Sequence, residues 1–301
     1  FSYTETTDHL TGKTDAILKR PKSDPLIIHT QSATEYWQRK GSLVHTDTRG
    51  NDLEPPEGVR IYAWGSSEHF ADPKMIRPSK GPCQNFSNVV RTSFFCRASL
   101  DHLDLWVTQE IAPPPSRFPK RSDGTLVDGP EWQNQFPNIP GIAIPGGPAK
   151  LPLLDFGSEF EKGLLSLEPP QVLDTEGYPT LVPAVDDDGN DRGCLNAPMV
   201  LAPLATYTGW NLRARGQGHG AKYQFSGSTI PFPETPEERQ VTADPRASIL
   251  ERYPNAESYA EAVRAASRQL VEERYMLEED LERCVEWAKD WDRLRHRIRL
   301  P

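Results

Sequence analysis

Cysteine is scarce in this chain, and its four residues (Cys83, Cys96, Cys194, Cys284) form no Cys-x-x-Cys pair. That spacing argues against a zinc ribbon or a dithiol redox site. Cys83 and Cys96 are a candidate disulfide, but the pattern fixes no redox compartment. Long apolar runs are missing too. None approaches the roughly 18 residues that a membrane helix needs, and mean hydropathy is −0.63. A soluble protein is expected, with a secreted or periplasmic location left open. Nor is positive charge gathered anywhere: 34 Lys+Arg stand against 43 Asp+Glu, a formal net charge of −9. Phosphate backbones call for a concentrated basic face, so neither nucleic acid nor a membrane is expected as a partner. The chain has no starting methionine. Phe1-Ser2-Tyr3-Thr4 reads as mid-protein sequence, so the true N-terminus and any targeting signal are expected elsewhere.

Proline, by contrast, is abundant, at 29 of 301 residues, concentrated between positions 113 and 236. Pro favours turns and extended segments, so this middle region reads as chain wrapped around a scaffold. Ahead of it the pattern alternates. Residues 1–24 are polar, a loop with room for a short helix. Leu26-Ile27-Ile28-His29-Thr30 is a brief apolar run behind a proline, which predicts a buried strand. Glu35 to Arg39 suits a helix start with Thr34 as its cap. Val59 to Trp64 predicts a second strand, running into Gly65-Ser66-Ser67-Glu68-His69-Phe70. From Val89 to Glu110, apolar residues at Phe94, Phe95, Ala98, Leu103, Trp106 and Val107 predict an amphipathic helix lying on a sheet.

This order predicts an α/β fold, a parallel sheet covered by helices. Residues 1–112 would hold the strands and helices of that core, with the acid and histidine loops. Residues 113–238 would be a Pro/Gly-rich wrapping segment with a few short strands. Residues 239–301 would be a helical region packed on the same core. In it, Tyr259, Val263, Ala266, Leu270, Leu277, Leu281, Cys284, Ala288 and Trp291 make one apolar stripe, read as a long helical region from Ser258 to Arg297.

The chemistry concentrates between Leu26 and Phe70. In a nucleophile–histidine–acid hydrolase the imidazole must reach the nucleophile and be held in one tautomer by a carboxylate. An α/β-hydrolase sets these groups on loops at the C-terminal ends of parallel strands, in the order nucleophile, acid, histidine. Here Glu35 follows the first strand and His69 the second. Asp47 lies between the same strands and is a second candidate acid. An acid from sequence outside the chain is a third. Glu68 adjoins the histidine, but neighbouring side chains point in different directions. Gly65-Ser66-Ser67 suits a flexible loop that delivers a side chain to a cleft.

Several blocks along the chain carry a resemblance. They include Thr11-Gly12-Lys13-Thr14-Asp15, Glu35-Tyr36-Trp37, Val59-Arg60-Ile61-Tyr62 leading to Glu68-His69-Phe70, and Ala112-Pro113-Pro114-Pro115-Ser116-Arg117. Val185-Asp186-Asp187-Asp188-Gly189-Asn190, Pro203 through Asn211, and Asp244-Pro245-Arg246 to Glu251-Arg252-Tyr253 continue the series. Together they resemble a bacterial family described as α/β-hydrolase domain-containing proteins, along essentially the whole chain. The resemblance implies a nucleophile on an upstream Gly-x-Ser-x-Gly elbow, and no such pentapeptide occurs here. Ser226-Gly227-Ser228 is the nearest lookalike, and it follows the histidine. The chain is therefore expected to be the C-terminal portion of a serine-type hydrolase, either a cleavage product still bound to its N-terminal partner or a truncated chain.

Other motifs yield less. Asp186 to Asp191 has acids in number but lacks the glycine and glutamate positions of a calcium loop, so a turn between strands is expected and no metal. Gly216-Gln217-Gly218-His219-Gly220 lacks the flanking strand and helix of a dinucleotide loop; a flexible surface loop is expected, and no cofactor. His29 and His45 stand near the first strand as cleft-lining or structural histidines. Tyr36 and Trp37 are the candidate substrate-binding residues, with Trp64 beside them, as walls of an acyl or aromatic pocket; core packing is the competing role.

Three functions are consistent with these patterns. The first is hydrolysis of a small-molecule or polymeric carboxylic ester, or a related acyl bond, together with the N-terminal part. The second is a non-catalytic interaction subunit that keeps hydrolase architecture. The third, resting on Trp132 and Trp210 as exposed aromatics, is carbohydrate or polymer binding.

Overall fold

Two short runs rich in β-branched and aromatic residues pair in parallel: Ile27–Ser32 (β1) and Val59–Trp64 (β2), with Ile27 opposite Val59 and Ser32 opposite Trp64. The computed structural model describes residues 2–70, 78–173 and 177–289. β1 runs directly into a short helix, Ala33–Gln38 (α1), and β2 into the His69 segment. The fold is α/β.

β2 is the buried strand. Its residues alternate in direction: Val59, Ile61 and Ala63 enter one apolar core with Tyr36, Trp37, Trp132, Trp210 and Ile230, while Tyr62 enters another. A strand covered on both faces tolerates the near-continuous apolar run seen here. Its second edge is closed piecemeal by the wrapping segment. Arg117 bonds to Ile61 and Ala63, and Leu195 to Ala63 and Gly65, through backbone groups. β1, by contrast, has β2 as its one strand neighbour among the described residues.

A 17-residue helix, Ser93–Gln109 (α2), covers the Tyr62 face through Phe94, Phe95, Ala98 and Trp106. Of the expected apolar residues, Val107 faces outward at 64% exposed, Leu103 is half-buried, and His102 is buried. His102 tolerates burial because its Nε2 meets the Arg274 carbonyl at 2.6 Å.

The strands Ala205–Thr208 (β3) and Ser228–Pro231 (β4) form an antiparallel pair that continues to the short strand Phe86–Ser87. The expected C-terminal helical region holds two helices, Ala256–Glu272 (α3) and Glu278–Lys289 (α4). Arg274 turns into left-handed backbone (φ 67°), and the Tyr275 N–H closes back on the Leu270 carbonyl, which ends α3. Neither Gly nor Pro marks this break. Trp291 and the rest of the expected helical region, to Arg297, lie outside the described residues.

Three further expectations are corrected. The N-terminal loop holds a two-residue antiparallel ladder, Thr6–Thr7 with Thr14–Asp15, in place of the short helix left open there. Cys83 and Cys96 are not bridged: Cys83 is buried and Cys96 faces outward on α2. Trp132 and Trp210 are 1% and 0% exposed and stack with Trp37 and Phe136, so they offer no surface for a carbohydrate.

Candidate active site

The acid and the imidazole meet at the C-terminal ends of β1 and β2. Glu35 is the third residue of α1, where a glutamate favourably reaches back to the helix start. Its Oε2 accepts the Ser32 N–H at 2.7 Å and also the Ser32 hydroxyl. Ser32 is thus the residue that caps α1. The expected cap, Thr34, instead donates to the Gly209 carbonyl. Glu35 Oε1 is left for the imidazole, and it accepts from His69 Nδ1. A carboxylate only accepts, so Nδ1 carries a proton in this pair, and in the neutral imidazole Nε2 has the lone pair. Among the described residues no hydroxyl or thiol bonds to Nε2.

The segment that delivers His69 is buried and fastened. Gly65 to Glu68 are inaccessible, and the imidazole emerges with 39% of its side chain exposed. Gly65 admits no side chain, because a Cβ there would lie 2.0 Å from Asn196 Oδ1 and 2.8 Å from Cys194 Cβ. Ser66 sits in left-handed backbone (φ 54°). Its N–H donates to Asp191 Oδ2 at 2.6 Å, its hydroxyl accepts the Asp191 N–H at 2.8 Å, and its carbonyl accepts Asn88 Nδ2 at 2.8 Å. Ser67 Oγ donates to the Trp64 carbonyl. Small residues serve here for burial and close approach, where a flexible loop was expected. Burial pushes the Asp191 carboxyl up to about 7, against the lowering effect of the Ser66 N–H.

The other candidate acids are occupied elsewhere. Asp47 closes its own turn, bonding to Asn51 and the Arg49 N–H; these outweigh burial and hold its carboxyl below the usual range. Glu68 accepts the Gly227 N–H at 2.9 Å.

A cleft of about 580 Å³ opens beside the pair, lined by His29, Glu35, Arg39, Leu43, Trp64 and His69 among others. Trp64 borders it, and its buried Nε1–H has no partner among the described residues. Tyr36 and Trp37 do not line it. Both are fully buried in the core on the Ile61 face, and Tyr36 Oη pairs with His45 Nε2 at 2.8 Å. His45 is structural as well: it stacks on Phe118, and burial pushes its pKa down to about 3, so it is neutral. His29 borders the cleft, with Nδ1 held by Tyr3 Oη at 3.0 Å.

Asp186 to Asp191 is a closed turn, with Val185 bridged to Asp191 and Asp186 Oδ1 accepting the Asp188 and Asn190 N–H groups. Gly216 to Gly220 is an exposed turn. No group of three or more metal-ligating side chains occurs among the described residues, and no described helix is long and apolar enough to cross a membrane.

Sequence reasoning missed Phe225, whose ring stacks on His69 at 4.7 Å between centroids and 29° between planes. No periodicity connects it to the histidine. The Ser32-x-x-Glu35 spacing, by contrast, was a readable capping signal.

A family model described as alpha/beta hydrolase domain matches residues 4–286. No curated protein and no solved structure matches the chain.

Proposed function

Because this chain belongs to the alpha/beta hydrolase domain family, we propose that it supplies the acid and the histidine of a serine-type hydrolase of carboxylic esters or related acyl bonds. The observation that carries the reading is the Glu35–His69 pair at the ends of two adjacent parallel strands. Glu35 keeps the proton on Nδ1, so Nε2 is the base. A serine hydroxyl brought to Nε2 gives up its proton as Oγ attacks the acyl carbon. Glu35 stabilises the resulting imidazolium, which then protonates the leaving alcohol. Water repeats the two steps to release the acid.

The serine and the oxyanion donors come, in this reading, from an N-terminal part of the same hydrolase, either continuous with residue 1 or retained as a separate chain. Two features support that. The chain contains no Gly-x-Ser-x-Gly. And β1, which leads into Glu35, has a second edge with no strand partner among the described residues, where a further parallel strand finds backbone groups to pair with. The substrate is a small-molecule or polymeric ester whose acyl portion enters the cleft beside Trp64.

Labelling with a fluorophosphonate, which reacts with activated serines, tests the assignment on the full-length protein. The label is expected on one serine outside residues 1–301, and its incorporation should fall sharply in His69→Ala. Labelling of a serine within 1–301, or none with active esterase present, contradicts the reading. An inert, homogeneous chain with no serine-bearing partner would favour the non-catalytic subunit.

A further inference from the structure

We propose that Phe225 is the positioning residue of the His69 imidazole, a fixed aromatic shelf that holds the ring in the orientation pairing Nδ1 with Glu35. Its catalytic consequence rests on the hydrolase reading above; its structural consequence does not.

The argument starts from what one hydrogen bond leaves undone. The Nδ1–Glu35 bond ties one atom of a side chain that is 39% exposed, and by itself it does not stop the ring from flipping about its Cβ–Cγ bond and carrying Nδ1 off Glu35. A stacked partner removes this rotation. Phe225 supplies it, with ring centroids 4.7 Å apart and planes inclined by 29°. Phe70 also touches the imidazole, edge-on at 4.6 Å, but it is the next residue along, 65% exposed, and moves with the histidine. Phe225 comes from a different part of the chain.

The shelf is itself clamped. Phe225 has φ 61°, a left-handed conformation that a bulky aromatic adopts only when its surroundings enforce it. Its N–H donates to Gln38 Oε1 at 3.0 Å, while Gln38 Nε2 donates to the Tyr223 carbonyl at 3.2 Å. Two residues on, the Gly227 N–H donates to Glu68, and the Gly227 carbonyl accepts Asn211 Nδ2 at 3.1 Å. A Cβ at position 227 would lie 2.2 Å from the Thr208 carbonyl oxygen, so this close approach depends on glycine. The Arg39 guanidinium packs on the Phe225 ring at 4.7 Å as well.

The connections have a common origin. Glu35 and Gln38 are on α1, with Arg39 just after it, and Glu68 immediately precedes His69. One short helix therefore places both the acid and the shelf, and the histidine segment is tied to the shelf by its own neighbour. The aromatic face also supports positive charge on the imidazole while it holds the transferred proton.

The test compares Phe225→Ala and Phe225→Leu with Phe225→Trp and Phe225→Tyr. In the full-length protein, ¹⁵N spectra of the His69 ring, identified by its loss in His69→Gln, read the tautomer directly. The native protein and the two aromatic variants should show the single Nδ1–H form. Phe225→Ala and Phe225→Leu should show a mixture with the Nε2–H form. In the full-length enzyme the aliphatic variants should lose on the order of 10-fold to 100-fold in kcat, as expected for a slightly misplaced catalytic group, with KM nearly unchanged, and Phe225→Tyr should restore it. Leucine keeps much of the volume, which guards against a misfolded alanine variant. Aliphatic variants that fold and keep one tautomer and full kcat overturn the proposal. Full activity in His69→Ala would instead sink the hydrolase reading, and the spectra would still decide the shelf.

Discussion

Glu35 serves two partners at once: Oε1 accepts from His69 Nδ1, and Oε2 accepts the N–H and hydroxyl of Ser32 at the start of α1. The carboxylate that orients the imidazole is thereby oriented by the helix that carries it. Glu35→Gln separates the two duties. The amide oxygen still reaches the Ser32 N–H, so the stability loss should be about 1 kcal/mol or less. An amide cannot stabilise an imidazolium as a carboxylate does, so kcat of the full-length enzyme should fall by on the order of 10²–10⁴. Thermal melts and steady-state kinetics on one preparation check both halves.

Gly65→Ala should disable the site without touching either catalytic side chain. The new Cβ would overlap Asn196 and Cys194, so β2 and the His69 segment must shift apart from the Cys194–Asn196 segment. A destabilisation of about 1–3 kcal/mol is expected, together with a loss of kcat in the full-length enzyme. Near-native activity in a folded Gly65→Ala protein would contradict the close packing described.

The pH dependence of stability should reflect two buried groups acting in opposite senses. Asp191 is raised by burial from 3.8 to about 7. Between those values the native state holds a proton that the unfolded state has released, so this group's stabilisation is complete below about pH 4 and is lost as pH rises toward 7. His45 is lowered by burial from 6.5 to about 3. Below 6.5 the unfolded state takes up a proton that the native state refuses, so its contribution is lost as pH falls from 6.5 toward 3. Each shift amounts to on the order of 4 kcal/mol over its full window. Asp191→Asn should therefore leave a profile that climbs more steeply between pH 4 and 6.5 than the native one. Urea unfolding across that range measures it, and identical slopes would refute the assignment.

Much of this was legible because it is local. A brief apolar run behind a proline marked β1, and the order strand–Glu35, strand–His69 singled out two side chains that the fold brings into contact. What escaped depends on tertiary contact. Trp132 and Trp210 looked exposed because polar residues surround them in sequence, yet they fill the core beside Trp37. Tyr36 and Trp37 are next to Glu35 but belong to the opposite side of α1, facing that core. The α3–α4 break turns on a left-handed Arg274, a residue type that signals no turn. Phe225 and Asp191 act on the His69 segment from distant parts of the chain, which no spacing rule reaches.

Trp132→Ala tests the reassignment of the middle-region aromatics. Removing a fully buried indole from a core should destabilise the protein by about 3–5 kcal/mol, and the variant should melt far below the native protein. Unchanged stability with a changed affinity for a polysaccharide would restore the binding role.

The most direct test of the account is ester hydrolysis by full-length protein carrying His69→Ala, measured beside the native enzyme after circular dichroism has established a common fold. A loss of kcat by three or more orders of magnitude, with the fold intact, is the predicted result. Turnover near the native rate would contradict the central claim that His69, held by Glu35, is the general base.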